Sequence, residues 1–387
     1  MKQILSLLFL LITGTSISFS QSQKVSFYFS AHPDDWQLFM GVNAFKDIAA
    51  ASAGSSNRTV FIYTTAGEAN CYGNGVNKHY YLTRQLGANR SVQFCSDIYS
   101  PHAAWSSSVL SIPGTTNHNI LQLRYKNIVC YFLRLPDGCF EQNLNTMAKL
   151  ANGEISTLSA VDSSTTYLGY NDLVETVRNI VDLESSTLKQ PEVWIQASDW
   201  DPLINPLDHP DHMQTGRLAT EVAARVDYAN IALFEGYTTC HEPSNLSPEE
   251  IAMEASLHSQ VCFGLTHSGV TSEWDPQSDC GHVEWTIRNY FRVYSTAINT
   301  KTTATLVKIS PNPAGNTINV SYEVMENGPV NIALYDTWGR LQATILNETE
   351  KTGVYTINYD IAALPDANYV IYAKISGHLY TLKFTKL

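Results

Sequence analysis

Val25–Ser30 (VSFYFS) runs straight into Ala31-His32-Pro33-Asp34-Asp35, and far downstream Val193–Ala197 (VWIQA) leads toward Leu207-Asp208-His209-Pro210-Asp211-His212. The first run is apolar on both faces, as a central strand covered by helices on two sides must be. Each run is followed by a His-Pro-Asp string. A proline restricts the residue before it to extended backbone and itself suits the first position of a helix. Both segments therefore read as strand, sharp exit and helix start. That geometry aims side chains outward at the carboxyl ends of strands, where open α/β sheets bind ligands.

Working outward, Trp36–Ala51 carries Leu38, Phe39, Val42, Phe45, Ile48 and Ala49 at helical spacing. Thr59–Thr65, Asn127–Leu133 and Ile231–Tyr237 read as further strands, and Tyr80–Phe94, Gly169–Ser185 and Met213–Val226 as helices. The repeating order predicts a three-layer α/β domain with a mainly parallel sheet over residues 21–295. Cys95–Asn119, rich in Ser, Pro, Gly and Asn, reads as an irregular, substrate-facing lid. Residues 296–305 read as a polar linker. From 306 to 387 short alternating runs are punctuated by Pro-Asn-Pro, Asn-Gly, Trp-Gly and Ser-Gly, the pattern of a small all-β sandwich. Residues 1–20 read as a secretory signal peptide: Lys2, an apolar run from Ile4 to Ile12, then Ser18-Phe19-Ser20. No stretch is long and apolar enough to predict a stable membrane span.

The chain has 387 residues, of which 44% are hydrophobic, so it can bury one large core and one smaller one. Lys and Arg number 24 against 36 Asp and Glu, a formal charge of −12 with no basic cluster to offset it. Nucleic acid and anionic membrane surfaces are poor partners for such a chain. Seven cysteines lie outside any metal-like spacing. Export permits some of them to pair, and the odd number leaves at least one thiol over.

His32, Asp35 and His212 supply two imidazoles and a carboxylate, the ligand set of a catalytic zinc or another divalent metal with positions open for water. Such an ion brings the pKa of a bound water to roughly 7, which makes hydroxide available at neutral pH. Asp34 diverges from its neighbour Asp35 and suits the role of general base. The helix starts favour ionised Asp34 and Asp35 and a neutral His212. His209 suits either proton donation to a leaving amine or stabilisation of an oxyanion. For the acid role its charged form needs Asp137, Asp208 or Asp211, among which the sequence does not choose.

The strings AHPDD and HPDH resemble those of the PIG-L / LmbE family of zinc-dependent N-acetyl-sugar deacetylases. Gly67-Glu68, Arg84, Arg134-Leu135-Pro136-Asp137-Gly138 and Glu235-Gly236-Tyr237 fall in similar places, so the resemblance runs from about Val25 to Val293. It implies a Rossmann-like fold, zinc on His32, Asp35 and His212, Asp34 as base, His209 as acid or oxyanion stabiliser, and Arg84 as a substrate-binding residue. The implied substrate is an N-acetylated sugar or glycoconjugate, deacetylated by hydrolysis. Where the family carries an acidic residue after the double Asp, this chain has Trp36. That ring reads either as a sugar-stacking face or as core at the start of a helix. Ile309-Ser310-Pro311-Asn312-Pro313, Leu334-Tyr335-Asp336, Leu364-Pro365 and Lys383-Phe384-Thr385-Lys386 resemble the sorting domain of the type IX secretion system. That similarity implies passage through the periplasm to the cell surface or the medium. Two rivals stand beside the hydrolase: a non-haem iron oxygenase using the same His/Asp/His set, and a non-catalytic glycan-binding protein.

Overall fold

The computed structural model describes residues 23–52, 56–69, 80–139, 144, 146–189, 191–202, 204–226, 229–275, 280–295, 307–324, 327–336, 341–375 and 378–387. The expected leader at 1–20 and linker at 296–305 lie outside the described residues. From the amino end, β1 (Lys24–Ser30) leads to α1 (Asp35–Phe39), α2 (Gly41–Ser52) and β2 (Arg58–Thr65). Next come α3 (Tyr80–Tyr99), β3 (Ser106–Pro113), β4 (Asn117–Tyr125) and β5 (Ile128–Leu135). A short α4 (Met147–Ala151) and the ribbon of β6 (Leu158–Ser159) and β7 (Thr166–Tyr167) follow. The domain ends with α5 (Tyr170–Ser186), β8 (Glu192–Ser198), α6 (Pro210–Arg225), β9 (Ala229–Phe234), α7 (Pro248–His267), α8 (His282–Trp285) and β10 (Phe291–Ser295).

Among the described residues, one eight-stranded sheet has the order β10-β9-β8-β1-β2-β5-β4-β3. Its central strands β5, β2, β1, β8 and β9 are parallel. Antiparallel β10 closes one edge, and β4 and β3 close the other. The chain builds from β1 outward through β2 to β5, then returns to the far side of β1 with β8 and β9. That reversal leaves a crevice at the carboxyl ends of β1 and β8.

Period-two alternation along β1 sends Phe27 and Phe29 to one face and Tyr28 to the other. Phe27 and Phe29 join Ile195, Val177, Leu218 and Val222 in one apolar layer. Tyr28 joins Trp36, Phe61, Ile48, Val92 and Leu257 in a second. Each fully buried large side chain contributes about 1.5–3 kcal/mol, and both layers clamp the strand that carries the first His.

Two expectations need correction, and one open alternative, Trp36, is settled. The helix predicted over Trp36–Ala51 is broken at Met40, because the Glu254 carboxylate of α7 accepts the Val42 N–H (3.2 Å) and so starts α2 afresh. Trp36 is fully buried on Phe61, and its Nε1 donates to the Tyr63 hydroxyl (3.0 Å), so it is core and not a sugar-stacking face. Cys95–Asn119 is no irregular lid. α3 runs on to Tyr99, and β3 pairs with β4 as a hairpin at the sheet edge, with β2 and β5 between it and β1. Most of β3 is exposed, so it shows no apolar alternation that would mark a strand.

Beyond the domain, β11 (Val307–Ser310), β12 (Thr317–Val324), β13 (Gly328–Asp336), β14 (Leu341–Glu350), β15 (Gly353–Asp360), β16 (Asn368–Ile375) and β17 (His378–Thr385) form two antiparallel sheets. Their orders are β11-β12-β15 and β14-β13-β16-β17, and Ile318, Val320, Ile332, Leu334, Ile371 and Phe384 share one apolar cluster. No helix among the described residues is long and apolar enough to cross a membrane.

α3 and α7 touch backbone to backbone where Gly87 meets Gly264. A Cβ on Gly87 would lie 2.7 Å from the Val261 Cα, and one on Gly264 would lie 2.6 Å from the Gly87 Cα. Gly87→Ala must therefore push the helices apart. Overpacking of this kind costs about 1–3 kcal/mol, to be read as a lower urea midpoint at unchanged slope.

Candidate metal centre

β1 ends against β2, where the Thr65 N–H and hydroxyl both donate to the Ala31 carbonyl at 2.9 and 2.8 Å. His32 is therefore held at a fixed exit. Asp35 folds back on it, accepting the His32 N–H through Oδ2 at 2.5 Å. On the second string Pro210 occupies the first turn of α6 as expected, and His209 is the N-cap, its Nδ1 accepting the Asp211 N–H (3.2 Å). The first string differs: α1 begins at Asp35 and its N-cap Asp34 makes no capping bond. Arg84 takes that carboxylate instead, pairing Nη2 with Asp34 Oδ1 and donating from Nη1 to the Gly67 carbonyl (2.9 Å).

The two strings converge. His212 Nε2 lies 3.1 Å from Asp35 Oδ1 and 3.3 Å from His32 Nδ1, which is itself 3.3 Å from Asp35 Oδ1. All three residues are buried. A tetrahedral ion with arms of about 2.0–2.1 Å spaces its ligands by about 3.3–3.4 Å, so the three donors fit the edges of one face. The other nitrogen of His212 donates to Asp208 Oδ1 (2.8 Å), the carboxylate–histidine arrangement that fixes a ligand's tautomer. Asp208 also accepts from the His209 N–H (2.8 Å) and from Asn205 Nδ2 (2.6 Å). A second group of His32, Asp137, His209 and Asp211 gathers on the far side of the His32 ring. There His32 Nε2 faces Asp211 Oδ2 at 3.4 Å and Asp137 Oδ2 at 3.8 Å.

The electrostatics follow from these contacts. Burial alone would raise the Asp34 pKa, but the Arg84 guanidinium outweighs it and holds the carboxyl below the usual range. Burial would lower the His212 pKa, yet Asp208 and Asp35 on its two sides push it up to about 10. The helix-start reading of a neutral His212 is thereby corrected for the ion-free protein, since two carboxylates outweigh one helix end. Burial and then the neighbouring His32 and His212 push His209 down to about 2. With Nδ1 accepting a backbone bond, its ring proton belongs on Nε2.

Of the residues singled out in the sequence, His32, Asp35 and His212 come together, with Asp34 and His209 beside them in the chain. Arg84 is buried on Asp34, with Glu273 Oε2 3.7 Å from its Nε. Glu68 accepts the Asp137 N–H through both oxygens at 3.1 Å, and burial raises its pKa to about 7. Sequence reasoning missed Asp208 as the anchor of His212, although a spacing of four at a helix start carried the signal, and it missed Glu273 altogether.

The sequence matches no protein-family model and no curated protein. Among solved structures it is similar to an alkylpurine DNA glycosylase of Pseudomonas fluorescens, at 14% identity and a TM-score of 0.17 over 46% of this chain and 60% of that one. An endo-beta-1,4-mannanase from Thermotoga petrophila aligns at 9% identity and a TM-score of 0.16, covering 91% and 72% of the respective chains.

Asp208→Asn keeps the shape but removes the negative charge behind His212. It should weaken divalent-metal affinity about 10–100-fold, measurable by competition with a chelator. In the chelator-treated protein the raised pKa of His212 stabilises the fold fully below its ordinary 6.5, and that contribution disappears as the pH climbs through about 10. Unfolding free energy should therefore fall over that window, and fall less in His212→Gln.

Proposed function

We propose that this chain is a secreted, metal-dependent hydrolase that removes an acetyl group from the nitrogen of an amino sugar or glycoconjugate. The single observation carrying the reading is the trio of buried donors, spaced 3.1–3.3 Å apart, with a second carboxylate adjacent in sequence. The strand order, reversing at β1 and β8, supports a Rossmann-like assignment and the resemblance to PIG-L / LmbE deacetylases.

His32, Asp35 and His212 would hold the ion, and an N/O donor set with open positions favours zinc. When bound, such an ion supplies Lewis acidity and a water acidic enough to ionise near neutral pH. Asp34, kept ionised by Arg84, takes the proton of the attacking water as its oxygen bonds to the amide carbonyl carbon. His209, protonated on Nε2, donates to the carbonyl oxygen as that oxygen gains charge. The geometry thus favours oxyanion stabilisation over the acid role for His209. Asp34 then returns its proton to the nitrogen, the C–N bond breaks, and acetic acid leaves and loses its own proton to solvent. Arg84, which the resemblance assigns to substrate, acts on this reading by positioning the base.

The Cys240–Cys280 disulfide is consistent with export. We assign the carboxyl-terminal sheets to type IX sorting on the resemblance of their sequence.

Asp34→Asn should lower acetate release from N-acetylated sugars by about 10²–10⁴-fold while metal content stays unchanged. Retained turnover in this variant overturns the assignment of Asp34. A chelator should abolish the wild-type activity, and added zinc should restore it.

A further inference from the structure

A second set of donors lies on α7 and the loop behind it. His258 and Cys262 stand one turn apart on that helix, so both side chains leave from one face. Glu273 comes in from the loop that follows. One nitrogen of His258, the thiol of Cys262 and one oxygen of Glu273 all lie within 4.8 Å of one another. His258 is fully buried, and neither of its ring nitrogens has a hydrogen-bond partner among the described residues. Glu273 Oε1 is likewise buried and unpaired, 3.9 Å from His258 Nε2. Leaving such groups unsatisfied is costly, so their clustering needs a reason.

We propose that His258, Cys262 and Glu273 form a second metal site, selective for a borderline-soft divalent ion such as zinc. One nitrogen, one sulfur and one oxygen suit that ion and suit calcium or magnesium poorly. Burial and the nearby Glu273 hold the Cys262 thiol above its ordinary range, against the Ser272 hydroxyl and the Trp274 backbone, so without an ion it keeps its proton. The ring of His258 is oriented by stacking on His282 at 4.5 Å and by Trp274 at 5.5 Å. A nitrogen–oxygen separation of 3.9 Å exceeds the edge of a zinc tetrahedron by about 0.5 Å, a closure that rotation of the Glu273 side chain supplies. The binding ion displaces the thiol proton to solvent.

The test is cobalt titration of the chelator-treated full chain, followed by metal analysis and absorption. Saturated wild type should hold a second equivalent and show a sulfur-to-cobalt charge-transfer band, which the sulfur-free triad cannot produce. Cys262→Ser should lose the band and one equivalent; His212→Gln should lose one equivalent and keep the band. Failure of the triad and failure of this site are therefore distinguishable. A wild-type spectrum without the band, or a band that survives in Cys262→Ser, overturns the proposal. Should Cys262→Ser fold poorly, mass-mapped alkylation of wild type decides the matter. Zinc should protect Cys262, and unprotected labelling overturns the site.

Discussion

The carboxylate of Asp208 holds the second half of the centre in place. It receives the Nδ1 proton of His212, the backbone N–H of His209 and the side-chain amide of Asn205, all within 2.8 Å. The backbone N–H of Tyr237, just past β9, also reaches it at 3.3 Å. One buried anion thus ties the loop after β8, the start of α6 and the end of β9 into a single rigid corner. A shift in any of them would turn the His212 ring away from β1. The two halves of the site meet only because β1 and β8 are neighbours in the sheet, though the residues they carry are separated by 177 positions or more.

Charge explains why this corner is suited to hold a cation. Asp34, Asp35, Asp137, Asp208, Asp211 and Glu68 are all buried in the immediate neighbourhood, against Arg84 and three imidazoles. Carboxylates removed from water are tolerated only when paired. Without an ion the protein meets the demand by holding protons on His212 and His32, whose pKa values the surrounding carboxylates raise. A divalent ion bound there would replace those protons, which would link metal uptake to proton release. The same field bears on His209, which is kept neutral by burial and by its imidazole neighbours, the form that the proposed oxyanion role would use.

The sequence revealed the parts of this arrangement that local chemistry governs. Proline restricts the backbone before it whatever the tertiary setting, so the strand exit at His32 and the helix start after His209 were readable, whereas a strand exit at His209 was not borne out, since β8 ends at Ser198. β1, buried on both faces, betrayed itself by its continuous apolar run. β3 did not, because an edge strand with its residues in water needs no alternation. Trp36 could not be resolved between core and ligand face, since one aromatic at a helix start fits both until Phe61 and Tyr63 are seen beneath it. The break at Met40 was hidden for a related reason: the group that starts α2 is Glu254, more than 200 residues away. His258, Cys262 and Glu273 were illegible as a set because the loop carrying Glu273 has no periodicity to fix its path.

Arg84 shows how a single cation arranges the neighbourhood of the proposed base. It lies on α3, whose position is set by the glycine contact with α7, and it reaches Asp34, the Gly67 carbonyl and Glu273 together. Its pull on Asp34 leaves α1 without a side-chain cap, a loss typically near 1 kcal/mol for an N-cap residue. In return the carboxylate stays ionised despite its burial. Glu273 faces the same guanidinium, its Oε2 3.7 Å from Nε, and lies against Asp34 itself. Any influence that changes the charge on Glu273 must therefore change the field at Asp34, because the two carboxylates share one buried arginine.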